Sequence, residues 1–159
     1  MQVSVKDLIG LRIEDIRFKY LNNNGYHLHE FTTYVKLTND LIFTIPYYHD
    51  EEFSFFDEEI EEEYFNAQQH LPKSSLKLFQ GKEIVDFHFI FHENELYELE
   101  KAIVELEDEL YFTEKHNGPM GLNDIGLQIL NKQKFMRFIE EVESEEGFEV
   151  RSLKTINKK

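Results

Sequence analysis

Residues 4–20 and 75–91 read as two versions of one segment, so the chain is expected to fold as an internal duplication. At a spacing of 71 positions Ser4 meets Ser75, Lys6 meets Lys77, Gly10 meets Gly81, Ile13 meets Ile84, Asp15 meets Asp86 and Phe18 meets Phe89. Further on, Val35, Leu37, Leu41, Phe43 and Thr44 meet Val104, Leu106, Leu110, Phe112 and Thr113 at a spacing of 69. The slip of two residues falls in a polar stretch, where a loop shortens at little cost. Two ordered blocks at nearly one spacing constrain the architecture strongly, but they name no activity.

Each copy opens with a short helical turn, residues 4–9 and 75–80, capped by Ser4 or Ser75 and ended by Gly10 or Gly81. A strand follows. In the first copy Ile16, Phe18 and Tyr20 alternate onto one face and Ile13, Asp15 and Arg17 onto the other; Phe87, Phe89 and Phe91 hold the apolar face in the second. An Asn-rich loop at 21–25 leads to a strand near 30–38. Asn39-Asp40 then turns tightly into 41–47, as Asp108-Glu109 turns into 110–113. The expected unit is therefore a helical turn plus a three-stranded antiparallel meander.

Between the copies, Asp57 reads as the cap of a helix through about Gln69, ended by Pro72. Downstream, Ile125, Leu127 and Ile129 alternate as a strand. Asn131 caps a helix carrying Phe135, Phe138, Ile139 and Val142 on one side; Gly147 closes it, and 148–153 is a last strand. The fold expected is α+β in a single domain over 1–159. Repeat one covers about 4–48, an acidic helical insert about 50–71 and repeat two about 75–116. A C-terminal strand–helix–strand, about 122–153, packs on the sheet.

Fifteen Phe and eight Tyr suffice for a real core in 159 residues. Cys is absent, which excludes a disulfide framework and thiolate metal sites and suits a reducing cytoplasm. Residues 1–7 lack the pattern of a signal peptide, and a cytoplasmic protein is expected. The net charge of −15, from 32 acidic and 17 basic residues, is unevenly placed. Residues 1–48 balance, 50–63 hold nine acids and no base, and 140–149 add six more acids. Such a field repels nucleic acid and anionic membranes and draws in cations or a basic protein.

Catalytic signatures are lacking: no phosphate-binding Gly-rich loop, no Cys nucleophile and no nucleophile elbow. An enzyme is not expected. Asp15 and Asp86 recur in both copies, and a structural role, bonding to nearby backbone, is expected of them. Among the seven His, the pair His27 and His29 beside Glu30 and the pair His88 and His92 near Glu93 and Glu95 invite a metal reading. A zinc or iron site needs three or four converging ligands, and His88 aligns with Arg17, which is no ligand. No metal and no cofactor are expected, with a small-ligand or metal-binding module using these His pairs as the alternative. A second alternative is a structural subunit that self-associates through a sheet edge.

The remaining feature is the run 47–65, where carboxylates interleave with Tyr and Phe and which has no counterpart in the second copy. The plain reading is a solvated helix face; the functional one is a binding surface, in which aromatics supply contact area and acids speed encounter. Asp50, Glu51, Glu52, Phe55, Phe56, Asp57, Glu58, Glu59, Glu61, Glu62 and Tyr64 are the expected partner contacts. The function expected is a non-catalytic, immunity-type inhibitor that neutralises a basic toxin or nuclease by occlusion. Its size, acidity and lack of Cys match the class of immunity proteins that accompany bacterial toxins.

Overall fold

A computed structural model describes residues 5–23, 28–45, 60–96, 102–115 and 126–156. It is α+β, with helices packed on two antiparallel sheets. The first sheet follows a 3-10 turn at Val5–Leu8 and contains β1 (Ile13–Asn23), β2 (Leu28–Leu37) and β3 (Ile42–Thr44). After α1 (Glu62–Asn66), the two-residue strand β4 (Gln69–His70) pairs with the free side of β1, giving the order β3-β2-β1-β4.

The second sheet follows α2 (Lys73–Phe79). Its strands are β5 (Ile84–His92), β6 (Glu95–Leu96), β7 (Ile103–Leu106), β8 (Leu110–Lys115), β9 (Gly126–Asn131) and β10 (Phe148–Ser152). Their order is β10-β5-β7-β8-β9, with β6 paired to β5 beyond β7. Helix α3 (Lys132–Glu143) joins β9 to β10, and α4 (Leu153–Ile156) follows β10. No helix among the described residues is long and apolar enough to cross a membrane.

The long first strand of each sheet carries the same irregularity. Register shifts by one residue between Ile13 and Asp15 against β2, and between Ile84 and Asp86 against β7. A bulge of this kind reverses the facing of everything beyond it. Ile13 and Ile16 are therefore both fully buried, as are Ile84 and Phe87. Strict alternation assigned Ile13 to the opposite face from Ile16, and the bulge at Glu14 corrects it. The carboxylates expected to serve the backbone do so at the bulges. Asp15 Oδ1 accepts the Ile16 N–H at 2.9 Å, and Asp86 Oδ1 the Phe87 N–H at 2.8 Å.

Ile13, Ile16, Val35, Leu37 and Phe43 of the first sheet and Ile84, Phe87, Phe89, Val104, Leu106 and Phe112 of the second share one core. Phe43 meets Phe87 edge-on at 6.5 Å, and Phe79 of α2 meets Phe112 at 5.2 Å. The hairpin turns fall where the acidic residues tolerate left-handed backbone: Asp40 has φ 70° and Asp108 φ 62°. Asn131 caps α3 as expected, its Oδ1 accepting the Lys134 N–H at 2.8 Å.

Other boundaries differ from the sequence reading. β1 runs on through Asn23 because its ladder with β2 continues to Asn23↔Leu28, overriding the poor strand propensity of Asn. α1 stops at Asn66, and Gln69–His70 leaves the helix to pair with β1. Pro72 does not end a helix but precedes α2, so Ser75 lies inside the first turn and not at its cap. α3 ends at Glu143, and Gly147, at φ 86°, instead shapes the turn into β10.

Phe89 is almost fully buried in the shared core, whereas Phe18 is only partly covered. Phe89→Ala should therefore lower the unfolding free energy by about 3–5 kcal/mol in urea denaturation, and Phe18→Ala clearly less. Equal losses would mean that Phe18 is covered as fully as Phe89, against the burial described.

Candidate functional site

The outer face of each sheet carries polar residues beneath a helix, because the inner faces are taken up by the core. On the first sheet Phe65 of α1 is 1% exposed and packs with Tyr34, Ile42 and Ile60. Arg17 lies 5.2 Å from the Phe65 ring, donates from Nε to Asp15 Oδ2 at 3.2 Å and from Nη1 to the Asn66 carbonyl at 2.6 Å. One guanidinium thus fastens the end of α1 to the strand beneath.

Lys36, on the neighbouring strand, pairs with Glu62 at 3.0 Å, Glu14 at 3.3 Å and Asp40 at 3.9 Å. The hydrogen bond to Glu62 is the main cause holding its ammonium above the ordinary range. Tyr64 meets Tyr34 edge-on at 5.7 Å, and Lys19 Nζ stands 3.2 Å from its hydroxyl. Burial pushes the Tyr34 hydroxyl upward, while its hydrogen bond and that of Lys19 pull Tyr64 downward.

Of the residues expected to contact a partner, Asp50, Glu51, Glu52, Phe55, Phe56, Asp57, Glu58 and Glu59 lie outside the described residues, as does His27. The structure places Glu61, Glu62 and Tyr64 together on α1. Glu61 occupies the N-cap position without capping through its side chain, and Glu61, Glu62 and the adjacent Glu63 are exposed. Tyr64 is 43% exposed. Glu62 is exposed yet committed to Lys36, so it fixes the helix as well as charging its surface.

The second outer face lies under α3. There Asp86, His88 and Glu105 each present a ligand-capable atom within 4.8 Å of the others. His88 Nε2 and Glu105 Oε1 are 2.8 Å apart. Asp86 is 5% exposed, and its Oδ1 also takes the Lys154 N–H at 3.3 Å, tying α4 to β5. An aromatic wall encloses the imidazole: Phe135 at 4.7 Å and Tyr111 at 6.3 Å, themselves stacked at 4.0 Å. The His88 hydrogen bond is the largest cause holding the Glu105 carboxyl below its usual range. Burial and the charges of Glu105 and Glu109 push Tyr111 up.

His88 and His92 do not act together. Four residues of strand separate them by about 13 Å, and the His92 ring packs on Phe148 at 4.4 Å. Sequence reasoning missed Glu105, which reaches His88 across the ladder, and also Glu114. The latter is 1% exposed in the interior and accepts the Thr33 N–H at 2.5 Å. No protein-family model matches the chain, and comparison with curated proteins and with solved structures gives no match either.

The Glu105 carboxyl has a folded pKa below its ordinary 4.5, so its contribution to stability is complete above 4.5 and is lost as pH falls through the lowered value. Glu105→Gln should melt lower than wild type at neutral pH, and the gap should close on acidification below 4.5. A gap of constant size from pH 7 to pH 3, followed by calorimetry, would show that the His88–Glu105 pair carries no such linkage.

Proposed function

We propose that this protein is a non-catalytic, immunity-type inhibitor of the cytoplasm that binds a basic protein, such as a toxin or nuclease, and occludes its working surface. The observation that carries this reading is the exposed row Glu61, Glu62 and Glu63 beside a 43% exposed Tyr64. These residues sit at the end of the nine-acid run, on a helix pinned to a sheet by Arg17 and Lys36. Carboxylates on a rigid element steer a cationic partner at long range, and a half-exposed aromatic gives it an area to bury. The remaining proposed contacts, Asp50 to Glu59 as named above, precede α1 in the chain and belong to the same acidic run.

We also propose that the scaffold is an internal duplication. Supporting it are the aligned Gly10 and Gly81, both at positive φ, and the aligned bulges at Ile13/Asp15 and Ile84/Asp86. The carboxylates that bond the next residue's N–H, and the aligned turns at Asp40 and Asp108, point the same way.

Charge reversal of Glu61 and Glu63 to Lys leaves the Lys36–Glu62 pair intact and tests the surface with little effect on stability, since exposed pairs contribute little. With the product of the adjacent reading frame as partner, association of the wild type should slow steeply with salt. The reversed variant should associate more slowly at low salt, and Tyr64→Ala should dissociate faster. Equal rate constants for all three proteins at low salt would remove the α1 surface from the function.

A further inference from the structure

The outer face of the second sheet holds an imbalance that the first sheet does not. Beneath α1, the carboxylate at the bulge, Asp15, is matched by Arg17, and the adjacent strand supplies Lys36. The positions aligned with these are Asp86, His88 and Glu105. Two permanent cations have become an imidazole and a second carboxylate, in a pocket where Asp86 is 5% exposed and the side chains of His88 and Glu105 are 12% and 23% exposed. Lys132 and Lys154 act on Glu105 through their charge, but among the described residues neither forms an ion pair with the cluster. Both hydrogen bonds to Asp86 land on Oδ1, so Oδ2 has none among the described residues.

Buried carboxylates persist where they are paired or hold a metal. We propose that Asp86, His88 and Glu105 bind a divalent transition-metal ion, with one nitrogen and two oxygen ligands and the remaining positions left to water. Ligand atoms about 2.1 Å from one tetrahedral ion lie about 3.4 Å apart. The three atoms here lie within 4.8 Å of one another, and binding adjusts them to that spacing. The donor set of one imidazole and two carboxylates suits zinc, manganese or iron(II) above calcium or magnesium, which prefer oxygen throughout. The Phe135 and Tyr111 rings restrict the rotation of His88 and keep the site apolar on one side, as surroundings that tune metal sites do. Binding replaces the His88–Glu105 hydrogen bond by two metal bonds and releases any proton held between them. The site is independent of the α1 surface, and either assignment stands without the other.

The test uses the full chain, stripped with EDTA and dialysed, titrated with zinc chloride by calorimetry and thermal shift. One zinc ion per chain is expected, with a higher melting temperature and shifted His88 ring resonances in NMR. His88→Arg installs the residue found at the aligned position and should form an ion pair with Glu105, so it should fold and lose saturable zinc binding. Glu105→Gln, nearly isosteric, should weaken binding about 10-fold or more and serves alone if His88→Arg fails to fold. Tenfold excess magnesium should not compete. Absence of one-to-one binding, wild-type affinity in either variant, or displacement of zinc by magnesium would overturn the assignment.

Discussion

Four main-chain hydrogen bonds join the start of one sheet to the start of the other. Gly10 N donates to Ile84 O at 2.8 Å and Ile84 N to Leu11 O at 2.8 Å; Gly81 N donates to Ile13 O at 2.8 Å and Ile13 N to Lys82 O at 3.0 Å. The exchange is reciprocal, and it needs both glycines at positive φ, 93° and 78°, a conformation in which any other residue is strained. Arg12 bridges the same junction, donating to the Gly81 carbonyl at 2.6 Å and to Glu107 at 3.0 Å. Each hairpin is then fastened to it, through Thr38 N to Arg12 O and Glu107 N to Glu83 O. With the sheets tied at this end, their inner faces meet, and Phe43 can reach Phe87.

The junction also decides where chemistry can sit. Inner faces are committed to Phe, Ile, Leu and Val, so titratable groups are displaced to the outer faces, where a helix covers each. The bulge beside the junction is what allows this. It turns Ile13 and Ile84 inward and leaves Asp15 and Asp86 outward, one residue before the strand resumes its alternation. Glu114 is the exception, an interior carboxylate that serves Thr33 N one residue beyond the Tyr34↔Thr44 pair, the last between β2 and β3.

Much of this was legible in the sequence because the signals are local. The left-handed glycines, the acidic hairpin turns, the Asn131 cap and the backbone role of Asp15 and Asp86 each depend on neighbours a few residues away. The failures have equally physical causes. A bulge leaves no compositional mark, so Ile13 was assigned to the wrong face. Pro72 suits the start of a helix as well as the residue after one, and only the pairing of Gln69–His70 with β1 decides between them. Glu105 goes unnoticed in the sequence because it reaches His88 across the ladder, where sequence spacing gives no hint.

That alignment carries a more general consequence. At each bulge the aspartate satisfies the backbone, so its identity is fixed by the fold; the residue two positions on and the one across the ladder are not. In the first sheet those positions hold Arg17 and Lys36, which pair with Asp15, Glu14, Asp40 and Glu62 and draw α1 down through Asn66 and Glu62. In the second they hold His88 and Glu105, while α3 is held by its own aromatic contacts: Phe135 stacks on Tyr111 and packs with Ile103 and Leu130. A scaffold that adds ion pairs to the apolar anchor of α1 and holds α3 by packing around Phe135 makes different use of aligned positions, and that difference, more than the acidity of the chain as a whole, sets the two outer faces apart.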